Sequence, residues 1–344
     1  MFTHIDMGEK IVTPRARILE PFGMMKEKLG AGFEIVGNVF LPHRDDTLIF
    51  FRARRVSDSV EQGLKFPKTL QNCGYLLISE IDDSLTRFPN IANVKYVDYI
   101  ATCAVTCSTE TLANELREFN PHVKIFKNHI ATLAPEKNFE DKDEITIFFG
   151  AVNRSEEWGD IMPIINKFAK RYGKKLRFIV ISDTKFFDAL ESQNKFFVMD
   201  KSTGMKEWVS YNVYMNEMYK ADIALLPLKD NVFNRAKSDL KFIESGNAQV
   251  AVLASPTVYE SVIKDGENGF IYRNPKEFQA KLKILIENKE KRIELSKAAY
   301  EYVKRERLLV NHIEERYNWF KEMYQKRDEL YKDLYKRCER LKKD

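Results

Sequence analysis

The side chains Lys237, Ser238, Lys241 and Glu244 form the densest group in this sequence that could do chemistry. They follow the apolar run ADIALLPL at Ala221–Leu228, which reads as a buried strand delivering the chain into a polar loop. A helix begins near Asp239. Free N–H groups and the dipole at a helix start hold anions. Two lysines and a hydroxyl at that point suit a diphosphate. Glu244 lies about two turns into the helix, where a carboxylate can accept from ribose hydroxyls, as in other nucleotide sites. A second group is SEIDDSLTRFP at Ser79–Pro89, where a hydrophobic strand ends in Glu80, Asp82 and Asp83. Paired carboxylates can act as a base, bind an acceptor hydroxyl or ligate a metal. The plainer reading is a helix cap beside a solvated acid.

The elements that position these groups alternate between strand and helix, the pattern of an α/β fold with parallel sheets. A length of 344 residues exceeds the usual single core, so two domains are expected. In the first part, strands are expected at Arg17–Leu19, Glu34–Val36, Asp46–Phe51, Gly74–Ile81, Tyr99–Thr106 and Val123–Phe126, with a helix over Thr109–Phe119. A polar stretch with Pro and a charge run, Ala134–Glu144, reads as a linker. The pattern then restarts, with strands at Ile145–Gly150, Leu176–Ser182, Phe196–Met199, Asp222–Pro227, Val250–Ser255 and Gly269–Tyr272, and helices between them. From Pro275 onward the chain reads as helix. The expected organisation is residues 1–135, a linker at 136–144, residues 145–290, and helices over 291–344 of which the first packs back on the N-terminal domain.

The net charge of 56 − 51 = +5 is mild and permits an anionic substrate. Basic residues are spread among acids of nearly equal number, with no basic stripe interleaved with aromatics, so a nucleic-acid role is not expected. No apolar run approaches the ~18–20 residues of a membrane span. The N-terminus has no basic start followed by an apolar core, so a cytoplasmic protein is expected. Four cysteines, with Cys103 and Cys107 as C-x3-C, read as thiols in a reducing compartment rather than a disulfide or zinc set. The stretch Lys321–Asp344, with nine Lys or Arg and six Asp or Glu, reads as a solvated helix with one packed face carrying Leu330, Leu334 and Leu341. Dimerisation, or a foothold on the inner face of an anionic membrane, are the alternatives.

Asp222–Tyr272 resembles the donor-binding half of a GT-B glycosyltransferase, close to glycosyltransferase family four and its bacterial surface-polysaccharide relatives. Glu244 matches that family's helix glutamate. Ser255 matches the serine after the following strand. Glu260, Asp265, Gly266, Asn268 and Gly269 match the later turn. The first glutamate of the family's E-x7-E pattern falls on Ala236, and the K-S-x-x-K segment from Lys237 to Lys241 stands there instead. The resemblance implies two Rossmann-like doubly wound domains facing a cleft, with a helical C-terminal tail. It places Gly150, Asn153 and Arg154 of ITIFFGAVNR at a glycine turn with a basic residue against the donor diphosphate. It likens Gly23, in ILEPFGMMKEKLG, to a turn that approaches the donor phosphates. Asn128 and His129 match the segment leading to the linker. Where many relatives carry a histidine motif, Asp82 and Asp83 stand here.

The implied activity is transfer of a sugar from a nucleotide-sugar to a glycan, lipid-linked or protein acceptor in bacterial surface glycan synthesis, with no cofactor and no essential metal. Arg154, Lys237 and Lys241 would stabilise charge on the leaving diphosphate. In a retaining reaction Asp82 or Asp83 orients the acceptor; in an inverting one it is the candidate base. An epimerase or hydrolase on the same scaffold, or an inactive partner-binding module, are the competing readings.

Overall fold

The computed structural model describes residues 2–6, 15–36, 47–52, 59–139, 141–151, 156–200 and 208–341. Among the described residues, twelve strands form two six-stranded sheets. The first holds β1 (Phe2–Asp6), β2 (Gly32–Val36), β3 (Thr47–Arg52), β4 (Leu76–Glu80), β5 (Ala104–Cys107) and β6 (Val123–Ile125), in the order β2-β1-β3-β4-β5-β6. The second holds β7 (Ile145–Gly150), β8 (Leu176–Ile181), β9 (Lys195–Val198), β10 (Ile223–Leu226), β11 (Ala251–Ala254) and β12 (Phe270–Ile271), in the order β12-β11-β10-β7-β8-β9. Every strand pair in both sheets is parallel. Counted within its own sheet, the second order is the 3-2-1-4-5-6 of dinucleotide-binding folds. Its order reverses between β7 and β10, and ligands of such sheets bind beyond the carboxyl ends at that point.

By contacts the chain forms two compact units. One comprises residues 1–131, 235–238 and 309–344; the other comprises 132–234 and 239–308. The segments expected as a single helical tail therefore divide between them. Helix Lys289–Glu306 packs within the second unit, with Gly246 of helix Leu240–Asn247 against Ala299 and Val303. Helices Ile313–Gln325 and Arg327–Arg337 pack on the core of the first unit through Phe320, Leu330 and Leu334.

Both sheets have covered faces, so their strands are apolar at successive positions rather than alternating. In β4, Leu76 and Ile78 face a cluster containing Ile18, Phe22 and Met25. Tyr75 and Leu77 face the opposite cluster with Val105, Leu112 and Leu116. In the second unit Ile147, Phe149, Phe178, Val180, Leu225 and Leu253 share one core.

Two expectations about elements change, and two elements are additional. Arg17–Leu19 is helical, part of Arg15–Leu19 leading into helix Glu20–Leu29, because Ile18, Phe22 and Met25 recur at helical spacing and all three are buried. Tyr99–Thr106 is a helical turn at Val97–Ile100 followed by β5. The Asn120 amide donates to the Tyr99 and Thr102 carbonyls, both at 2.9 Å, and holds the bend between them. Strand β1 and helix Val60–Asn72 were not expected from the sequence. Among the described residues, no helix is long and apolar enough to cross a membrane.

Candidate functional site

The second unit gathers its polar groups at the carboxyl end of β7. Gly150 is the last residue of that strand. A Cβ there would lie 2.7 Å from one Phe148 ring carbon and 2.8 Å from a Tyr214 ring carbon, so only glycine fits without moving a ring. Lys241 is the second residue of helix Leu240–Asn247. Its Nζ donates to the Gly150 carbonyl at 2.6 Å and to the Tyr214 hydroxyl oxygen at 3.2 Å, and it lies 4.9 Å from the centre of the Tyr214 ring. Glu244 is one turn on, on the same side of the helix and 5% exposed. Burial, then the nearby charge of Glu244, raise the Tyr214 phenol well above its ordinary value, so the hydroxyl keeps its proton.

The start of this helix is braced by an ion pair. Asp239, at its N-cap, accepts from the Arg307 guanidinium through both oxygens, Nη2 to Oδ1 at 2.9 Å and Nη1 to Oδ2. The Arg307 side chain is only 4% exposed. Asp239 stands at a helix N-terminus, where the dipole favours a carboxylate. The preceding loop is fixed by Glu157, which accepts from the Asn234 amide at 2.7 Å and from the Lys229 backbone N–H. Asn234 is fully buried, and among the described residues its Oδ1 has no hydrogen-bond partner.

Ser255, and Asp265 and Asn268 of the later turn, accept hydrogen bonds from backbone N–H groups. Ser255 Oγ accepts from Leu228 N at 2.8 Å, Asp265 accepts from Ile271 N at 2.9 Å, and Asn268 accepts from Lys264 N at 2.8 Å. Gly266 has φ +82°, a backbone that glycine adopts without strain.

In the first unit, Asp83 lies 3.0 Å from Arg87 Nη1 and 3.8 Å from Lys237 Nζ. The segment around Lys237 is held by two hydrogen bonds within this unit. The Thr109 hydroxyl donates to the Ala236 carbonyl at 2.9 Å, and the Asn128 amide donates to Ser238 Oγ at 2.7 Å. Asn128 Oδ1 accepts from Arg17 at 3.2 Å, and Arg17 forms a buried ion pair with Glu80 at 2.8 Å. Glu80 is thus built into the core, whereas Asp82 and Asp83 follow it at the strand's carboxyl end. His129 stacks on His312 at 4.0 Å.

The structure therefore brings Gly150, Lys241 and Glu244 together in one unit, and Asp83, Lys237 and Ser238 together in the other. Asn153 and Arg154 lie outside the described residues. Gly23 is inside helix Glu20–Leu29, not in a tight turn, and a Cβ there would meet nothing within 4 Å. Tyr214, Thr109 and the Asp239–Arg307 pair were not singled out from sequence. Tyr214 had no local signal, being one of three tyrosines in helix Tyr211–Tyr219. Asp239 could have been flagged as a polar residue at a helix start.

Residues 167–316 match a family model described as Glycosyl transferase-like. No curated protein sequence matches the chain. Among solved structures, HepE of Anabaena in complex with UDP and glucose aligns with a TM-score of 0.62 at 12% identity, covering 93% of this chain and 99% of that one. An E. coli structure named for trehalose-6-phosphate, bound with UDP-2-fluoro glucose, aligns with a TM-score of 0.60 at 11% identity, covering 94% and 99%. TarM of S. aureus, in complex with fondaparinux, alpha-GlcNAc-glycerol and UDP, aligns at 0.57 with 13% identity over 80% of this chain, which spans only 55% of the TarM chain. The fold is the GT-B fold, with two parallel α/β sheets and a helical C-terminal region.

Proposed function

We propose that this chain is a glycosyltransferase that moves a sugar from a nucleoside diphosphate sugar to a hydroxyl of a glycan-type acceptor. The observation that carries the proposal is the Lys241 ammonium, 2.6 Å from the Gly150 carbonyl at the reversal point of the second sheet, with Glu244 one turn away. A fixed cation at that place suits a diphosphate, and a buried carboxylate beside it suits ribose hydroxyls. The match over residues 167–316 and the UDP held by the three neighbouring structures support the same reading.

In the proposed reaction the bond from the anomeric carbon to the diphosphate oxygen breaks. Lys241 takes up the charge developing on the departing phosphate, which preorganised cations do effectively in a site shielded from water. The acceptor oxygen attacks from the same face and passes its proton to the leaving phosphate, so configuration is retained and no protein base is required. Asp82 and Asp83 are assigned to orienting the acceptor hydroxyl. Lysine carries the charge a metal ion could otherwise carry, so the proposal includes no metal. Surface glycan assembly remains the proposed setting, supported by the glycan-like ligand of TarM.

The test is calorimetric titration with UDP, other nucleoside diphosphates and their sugars, followed by turnover with glycan acceptors in the presence of a chelator. One nucleotide should bind saturably, and Lys241→Ala and Glu244→Ala should each weaken it at least about tenfold, the loss expected for one charged hydrogen bond. If no nucleotide binds, the glycosyltransferase reading fails. Binding without transfer to any acceptor would favour a partner-binding module, and hydrolysis or epimerisation of the donor would favour the other enzyme class.

A further inference from the structure

A cavity lies at the amino-terminal end of the second unit's sheet, the end away from Gly150. Its volume is about 370 Å³, within the usual range for a small-molecule site. Thr146 near the start of β7, Arg177 near the start of β8 and Asp222 just before β10 all line it. The length of β7 separates it from Gly150 and Lys241 by about 17 Å.

Six cations line this cavity: Lys137, Lys142, Arg177, Lys220, Lys289 and Arg292. Among the described residues of the lining, only Glu144 and Asp222 oppose them, an excess of 6 − 2 = 4. Outside the lining, Glu217 and Asp141 pair with Lys220 and Lys289, and Glu290 acts on Arg292, which still leaves an excess of one among the described residues. Asp222 is already engaged, by Thr146 N at 2.8 Å and Lys142 at 3.0 Å. The two most enclosed cations donate to backbone carbonyls: Lys137 to Ala221 O, and Arg292 to Leu285 O at 2.6 Å. Burial, with Lys142 and Arg292 beside it, pushes the Lys137 ammonium down to about 8, and Asp222 only partly offsets this. Arg177 has a buried Nε without a hydrogen-bond partner. Phe139 and Tyr219 add aromatic surface to the wall.

Concentrated, incompletely neutralised positive charge of this kind selects an anion with several oxygens. We propose that this cavity is a second binding site, separate from the donor site, for a compact phosphoryl anion, either inorganic diphosphate or the phosphate ester of a small sugar. Lys137, Lys142, Arg177 and Arg292 take the phosphoryl oxygens, and the Phe139 and Tyr219 side suits the face of an ester's sugar ring.

The experiment is calorimetric titration of the full chain at constant ionic strength with inorganic phosphate, pyrophosphate, glucose 6-phosphate and glucose. At least one phosphorylated probe should bind saturably, while glucose should not. Preference for pyrophosphate identifies the free anion, and preference for glucose 6-phosphate identifies the ester. Lys137→Gln and Lys142→Gln should each weaken that probe about tenfold or more. Lys283→Gln, on the exposed side of helix Pro275–Glu287, should leave it unchanged. Lys241→Ala removes only pyrophosphate held at the donor site and should leave the binding that depends on Lys137 and Lys142 in place. Lys142 is 39% exposed on its side chain, so its variant carries the test if Lys137→Gln does not fold. Absence of saturable binding up to about 10 mM overturns the proposal. So does an equal loss in Lys283→Gln, which would mean diffuse charge attraction, or a loss confined to Lys241→Ala, which would place the probe at the other end of the sheet.

Discussion

Replacing Gly150 with alanine tests whether the lysine of the donor site is held by its surroundings. Gly150 has no positive φ, so alanine is allowed in its backbone conformation and the perturbation is steric. The new Cβ would lie 2.7 and 2.8 Å from two Phe148 ring carbons and 2.8 Å from Tyr214. Ordinary carbon contacts are about 3.5–4.0 Å, so a ring must move by about 1 Å. Phe148 is 1% exposed and packed edge-on to Tyr214, so Tyr214 is the ring that gives way. Overpacking costs about 2–3 kcal/mol, and the lost freedom of the unfolded glycine returns about 0.5–1 kcal/mol. The expected net loss is about 1–2 kcal/mol, a fall of about 3–6 °C in the melting temperature of a unit this size. Displacing Tyr214 also removes an oxygen and a ring face that hold the Lys241 ammonium. Nucleotide affinity should then fall about tenfold. Scanning calorimetry and nucleotide titration measure the two effects separately. Phe148→Leu in the alanine background should recover part of both. An alanine variant as stable as the parent, with unchanged nucleotide affinity, would refute the reasoning.

Gly246→Ala should also run against helix propensity: alanine normally gains up to ~1 kcal/mol in a helix interior, but here its Cβ would lie 3.0 Å from the Ala299 carbonyl oxygen and 3.0 Å from Val303. The overpacking cost of about 1–3 kcal/mol outweighs that gain, for a net loss of up to about 2 kcal/mol in denaturant unfolding. Asp239→Asn leaves the buried Arg307 guanidinium without its carboxylate and should cost about 3–5 kcal/mol, read by the same unfolding curves. Cys103 and Cys107 are buried, and burial pushes both thiols up to about 12. At pH 8 a disulfide reagent should therefore label the exposed Cys73 quickly, and should label Cys103 and Cys107 only after denaturation.

The second sheet could be read from sequence because strands covered on both faces appear as unbroken apolar runs between turn residues. ITIFFG and DIALLP are of that kind, and both fall within two residues of the observed strands. The first unit was harder to read for identifiable reasons. The helical spacing of Ile18, Phe22 and Met25 spans a Pro and a Gly, which obscured it. The bend after Tyr99 depends on the amide of Asn120, which no local window around Tyr99 contains. Within the candidate site, Lys241 and Glu244 could be found from residue type and position, since charged groups at a helix start suggest an anion. Tyr214 could not, because what distinguishes it from Tyr211 and Tyr219 is a contact with Lys241, a residue from another helix. Lys237 and Lys241 looked like one cluster in sequence, yet their contacts assign them to different units.

The packing of Phe320, Leu330 and Leu334 against Ile18, Phe22 and Leu76 bears on the order in which the protein can be made. The second unit has all its residues once the ribosome has passed position 308, whereas the first unit acquires its covering helices only from residues 309 onward. The sheet synthesised first is thus the one completed last. Chains arrested before residue 309 should keep a protease-resistant second unit while the apolar face beside Phe22 stays open to digestion. Until helices Ile313–Gln325 and Arg327–Arg337 emerge, that face is the surface a chaperone would recognise.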